Sequence, residues 1–223
     1  MTQTWNDLLF AHWPISADLI RPLVPQVLPL DTFDGSCWIA VAPFHMSGIR
    51  ARGLPPIPGH SEFPELNVRT YVVLDDKPGV FFFSLDVTKS LAVWAARTFY
   101  HLPYFRAQMS VSHENGGIEY ASTRLVGNAT FRASYHPIAP VQLRAKGTLE
   151  HWLTERYCLY SVANGRVYRG DIHHHPWPLQ NAAAQMECFT MFSAAGIVVP
   201  KVAPLLHFSS KIEVLLWPLQ RVC

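Results

Sequence analysis

Charge is scarce in this chain. Asp, Glu, Lys and Arg make up 15% of 223 residues, and the formal net charge is +2. No stretch gathers lysine and arginine into a patch, which argues against a nucleic-acid partner, whose phosphates demand one. Long apolar runs are lacking too; none reaches the about 18 residues that mark a membrane span. The opening MTQTWNDLLFAHWP has neither the basic flank nor the apolar run of a secretory signal. Cys37, Cys158, Cys188 and Cys223 stand far apart with no CxxC pair, so no disulfide framework is expected. They read as buried, inert thiols, and a cytoplasmic location follows as the expectation. No Gly-rich phosphate loop, GxSxG elbow, HExxH or dinucleotide fingerprint is present, and no cofactor is expected.

Apolar residues are plentiful, at 49%, with seven Trp, eight Tyr and thirteen Phe. That composition supports one domain over residues 1–223, with a sizeable core and aromatic-walled cavities. Eighteen prolines and twelve glycines are spread throughout, so helices should be short and turns frequent. Strands are expected at 8–15, within 31–46 after a turn at Asp34-Gly35, at 130–138 and at 205–219. Hairpins are expected over 65–87 around DDKPG, over 105–126 around Asn115-Gly116-Gly117, and over 154–175 around Asn164-Gly165. Short helices are expected at 16–21, at 90–102 before Pro103, and at 148–153. The proline-rich 53–64 reads as a loop, and 176–186 is ambiguous. The residues alone predict one antiparallel, β-rich domain with a few helices.

FPELNVRTYV (63–72) is the stretch that carries chemistry. Side chains on a strand alternate faces, so Glu65, Asn67 and Arg69 share one face and Leu66, Val68 and Thr70 the other. That polar face could lie in water, as on half-exposed antiparallel strands. The following VFFFSLD is apolar almost throughout, which argues for an interior hairpin, and buried Glu and Arg need partners.

Further candidates follow along the chain. Arg97, Tyr100 and His101 share a helix face, with Tyr104 just beyond Pro103. In TERYCLY, either Glu155 with Tyr157 or Arg156 with Cys158 points inward. His173-His174-His175 cannot all meet one metal from a strand, and no metal site is expected.

FPELNVRTYV, GVFFFSLD, AARTFYHLPYFRAQM, LTERYCLY and HHPWPLQ, in that order, resemble the YqjF-like (DUF2071) family over about Leu8–Leu219. That family is similar in turn to acetoacetate decarboxylase, which implies an antiparallel, closed, cone-like β-barrel with short outer helices and a buried pocket. By the same resemblance Glu65 falls at the decarboxylase's acidic position and Arg97 at its helix arginine. LPYF (102–105) falls on Phe-Pro-Lys-Lys. Tyr104 thus replaces the lysine that forms the imine, and Phe105 replaces its cationic neighbour. A phenol cannot form an imine, so lysine-dependent decarboxylation is not expected.

Three functions fit these residues. One is a lysine-independent enzyme acting on a carbonyl or carboxylate compound, with Glu65 as acid/base, Tyr104 as proton donor, and arginine holding an oxyanion. Another is a non-catalytic binder of a small polar or carboxylate ligand, using Asn67, Arg69, Arg97, Glu155 and Tyr157. The third is a purely structural network of Glu65, Arg69, Arg97, Glu155 and Arg156. A small molecule is the expected partner, and self-association stays open.

Overall fold

The computed structural model describes residues 1–114 and 116–223. In chain order its strands are β1 (Thr2–Ile15), β2 (Cys37–Arg50), β3 (Phe63–Leu74), β4 (Lys77–Val87), β5 (Tyr104–Glu114), β6 (Gly117–Arg124), β7 (Thr130–Pro137), β8 (Cys158–Ala163), β9 (Arg166–His174), β10 (Gln180–Phe189), β11 (Leu205–Leu216) and β12 (Gln220–Arg221). Helices α1 (Ala17–Ile20), α2 (Ser90–Tyr100), α3 (Leu149–Thr154) and α4 (Met191–Ala194) are short, as the proline spacing requires. No described helix is long and apolar enough to cross a membrane.

All twelve strands belong to one sheet, whose pairing runs back on itself through a ring of nine: β4, β3, β2, β1, β11, β10, β7, β6 and β5. A shorter circuit shares β4, β3, β2, β1 and β11 and returns through β9 and β8. The resemblance implied a closed antiparallel cone, and this needs correcting. The sheet is mixed, because β4 pairs in parallel with both β5 and β8. Period-two patterning reports which residues share a face and is blind to strand direction. The crossover through α2 supplies the length that a parallel return needs.

Five shared strands are thus covered on both faces. Toward β5–β7 and β10, Leu9, Val41, Leu66 and Val68 join Tyr120, Phe131 and Tyr135 in an aromatic-rich core. Toward β8 and β9, Phe10 and Phe44 meet Trp177, and Tyr71 meets Leu159 and Leu153. Burial on both sides explains why these strands read as nearly continuous apolar runs.

Local chemistry accounts for most boundaries. Asn164 (φ 51°) and Gly165 (φ 71°) make the two-residue turn between β8 and β9. Asp75 (φ 50°) and Asp76 (φ 55°) do the same between β3 and β4, so that turn is tighter than the expected DDKPG, and Pro78 and Gly79 lie within β4. Gly79 is obligatory for space: a Cβ there would sit 2.6 Å from Cys158 Sγ and 2.8 Å from its carbonyl oxygen. Helix α2 ends two residues earlier than expected, with His101 (φ 51°) as its left-handed cap. Ambiguous 176–186 resolves largely into β10, and β1 begins six residues before Leu8. The expected turn residue Asn115 lies outside the described residues.

Candidate functional site

Strand β3 is regular over its polar residues, so Glu65, Asn67, Arg69 and Tyr71 project on one face, toward β8 and β9. All four are buried: Glu65 and Asn67 are 4% exposed and Arg69 8%. The polar-face-in-water alternative is excluded.

At one end of this row the Tyr104 hydroxyl donates to Glu65 Oε2 at 2.7 Å. Burial pushes the Glu65 carboxyl from 4.5 up to about 7; the Tyr104 hydroxyl and Asn67 amide favour the carboxylate, while nearby Asp86 opposes it. Burial also raises the Tyr104 phenol well above its ordinary range, reinforced by Glu65. So at neutral pH Tyr104 keeps its proton while Glu65 is poised between its two forms. The couple is held from behind. Tyr120 donates its hydroxyl to the Glu65 carbonyl at 2.8 Å, and Arg97 Nε donates to the Tyr104 carbonyl at 2.7 Å.

The other end of the row is cationic. Arg69 sits with Cζ 5.1 Å over the Phe10 ring. Among the described residues no carboxylate pairs with it, and its Nε has no partner. His12, fully buried, shares a 2.7 Å hydrogen bond through Nε2 with the Tyr71 hydroxyl. Burial holds His12 well below the ordinary histidine range, with Arg69, His207 and Arg156 pushing the same way. His207 is lowered to about 4, mainly by burial and then by Arg144. Arg156 lies over Tyr71 and Trp152 and pairs with Asp31. Its Nη2, like Nδ1 of His12 and of His207, is buried without a hydrogen-bond partner. Unpaired buried donors beside an uncompensated guanidinium are costly unless an anion or polar group meets them.

The remaining predicted residues lie elsewhere. Arg97 is on the exposed face of α2 and reaches the site only through the Tyr104 backbone. Glu155 and Tyr157 precede β8 in a loop. Glu155 accepts from the Trp177 backbone N–H at 2.9 Å and from the Tyr157 hydroxyl. Tyr157 is 37% exposed and stacks on His174. Arg156 and Cys158 are the inward pair of TERYCLY, so placing Glu155 and Tyr157 on the ligand-facing side is corrected. The five-residue ionic network does not form either: Arg156 pairs with Asp31, and the other four make no ion pair with one another.

Asp86, Arg124, His12, Tyr71 and His207 went unnoticed in the sequence. Asp86 and Arg124 form a buried pair, Arg124 Nη2 lying 2.7 Å from Asp86 Oδ1 with Cζ 3.9 Å over Phe105. The signal was there: a lone Asp in VFFFSLDV and a lone His in LLFAHWPI interrupt otherwise apolar strands.

Comparison with known proteins places these observations. The sequence profile of the DUF2071 family, described as an uncharacterized conserved protein, matches residues 2–213. The chain is 51% identical over 222 residues to the uncharacterized protein YqjF of Bacillus subtilis, covering 99% of this chain and 92% of that one. Among solved structures, the enduracididine biosynthesis enzyme MppR complexed with pyruvate superposes with a TM-score of 0.70 at 10% identity, covering 99% of this chain and 89% of MppR. Acetoacetate decarboxylase from Legionella pneumophila gives 0.69 at 12% identity, covering all of this chain and 87% of the enzyme. An acetoacetate decarboxylase-like enzyme from Sphingomonas wittichii gives 0.64 at 12%, covering 99% and 92%. The fold is thus that of acetoacetate decarboxylase, and the chain itself belongs to the DUF2071 family.

Proposed function

We propose that this protein is a lysine-independent enzyme acting on a small carbonyl compound that carries a carboxylate, by enolisation, isomerisation or hydration. One observation carries the reading: a buried Glu65 with a carboxyl poised near 7, hydrogen-bonded at 2.7 Å to a protonated Tyr104. A base matched to neutral pH removes and returns protons efficiently. In enolisation, Glu65 takes the proton from the carbon next to the carbonyl. The C–H electron pair forms the carbon–carbon double bond while the carbonyl π pair moves onto oxygen. The Tyr104 hydroxyl, freed as Glu65 becomes protonated, steadies the developing charge. Return of a proton from Glu65 reverses the step. Arg69 holds the carboxylate at the other end of the row, with Asn67 between. Four residue steps along the strand set the ends about 13 Å apart, which suits an anion several bonds from the reacting carbon. MppR is complexed with pyruvate, also a keto acid, but the spacing here calls for a longer one, whose carboxylate lies farther from the reacting carbon.

Imine chemistry has no support here, since Tyr104 and Phe105 offer neither amine nor cation. The uncompensated Arg69 favours a second reading, a carboxylate-binding protein without turnover. One experiment separates the two: oxo acids of graded length are incubated with the protein in deuterium oxide and followed by proton NMR. The enzyme exchanges the hydrogens next to the carbonyl, and Glu65→Gln stops this. Saturable binding lost in Arg69→Met, with no exchange, leaves the binder. Neither binding nor exchange refutes both.

A further inference from the structure

An open groove lies outside the row of β3. The outer edge of β4 pairs with β8 at Val80 and Phe81 and with β5 from Leu85 to Val87. Between them a bulge leaves Phe83 without a partner in β3, and among the described residues no strand pairs with the outer edge of 82–84. The two neighbours diverge there, and the fork holds a groove of about 610 Å³. Phe81, Phe82, Phe83 and Phe105 are prominent in its lining, with Arg97 and His101 beside them and no acidic residue. Arg97 spends only Nε, on the Tyr104 carbonyl, and its terminal nitrogens make no hydrogen bond among the described residues. Ser161, buried in the same lining, has a hydroxyl without a partner.

We propose that this groove is a second ligand site, for a small aromatic carboxylate, separate from the Glu65–Tyr104 couple. The ring lies among the phenyl groups, and the carboxylate takes the free fork of Arg97, whose planar donors match two oxygens. A groove with a guanidinium, an imidazole, no acid and aromatic residues along it selects an anion with a flat apolar body over a cation or a sugar.

The test is titration of benzoate, with benzyl alcohol as neutral control, into isotope-labelled protein followed by amide NMR shifts. Shifts centred on 81–83 and 161–163 are expected. Arg97→Met weakens benzoate about tenfold or more, the loss of one charge-assisted contact, and leaves benzyl alcohol unchanged. Ala163→Trp, which fills one wall and keeps Arg97, abolishes both, and Glu65→Gln alters neither. Equal benzoate affinity in wild type and Arg97→Met overturns the proposal. So do shifts centred on β3 that vanish in Arg69→Met, or no saturable shift at all. Because Glu65→Gln leaves this site intact, its failure is distinct from failure of the proposed activity.

Discussion

Replacing Glu65 by Gln should make the protein more stable at neutral pH while removing its acid/base group. A carboxyl whose pKa is higher folded than unfolded binds its proton more tightly in the folded state. Its ionisation between the two values therefore costs stability as pH rises. For Glu65 the window runs from 4.5 to about 7, and each unit is worth about 1.4 kcal/mol. Wild type thus loses about 3 kcal/mol across that window through this one group. Gln keeps the volume and an oxygen to accept from Tyr104, and it has no proton to lose. His12 and His207, held neutral by burial, push stability the opposite way over part of the range, so the difference between wild type and Glu65→Gln is the informative quantity. Urea titrations from pH 4.5 to 8 should show the variant gaining on wild type by about 3 kcal/mol. In melting temperature that is about 10 °C for a chain of this size. Parallel curves throughout the window would refute the argument that Glu65 is buried and raised.

Other outcomes follow from the same geometry. Tyr104→Phe removes a donor that favours the carboxylate, so Glu65 should titrate higher than in wild type, read by carbon-13 NMR of labelled glutamate. Arg124→Met strands Asp86 without its partner and should cost about 3–5 kcal/mol in urea denaturation; Asp86→Asn together with Arg124→Met should recover part of that loss. Gly79→Ala drives a methyl into Cys158 where β4 meets β8, and should cost about 1–3 kcal/mol. His207→Gln removes a group with a depressed folded pKa, and should lessen the stability lost as pH falls from 6.5 to about 4.

Much of this was legible in the residues, for reasons that also set the limit. Alternation along 65–69 gave the shared face of Glu65, Asn67 and Arg69, because strand geometry fixes it. The apolar VFFFSLD correctly pointed to an interior hairpin. Asn164-Gly165 marked its turn because both positions need positive φ. Strand direction left no trace in composition, so the parallel β4–β5 and β4–β8 pairings escaped notice. For TERYCLY, alternation paired Arg156 with Cys158 correctly but left open which pair turns inward, because residues 155–157 lie between the end of α3 and the start of β8. Arg97 lies on α2, as the sequence expected, and its guanidinium turns to the Tyr104 carbonyl and the Phe105 ring. The Asp86–Arg124 pair joins residues 38 apart in sequence, a distance no local pattern spans. His12 and His207 come together only through the pairing of β1 with β11, which sets Phe10 opposite His207.

The central claim is that Glu65 is a buried carboxyl tuned by its surroundings to act near neutral pH. Carbon-13 titration of the Glu65 carboxyl in the wild-type protein, assigned by comparison with Glu65→Gln, tests it most directly. A midpoint at about 7 is predicted. A midpoint at the ordinary 4.5 would place the group in water and contradict the account.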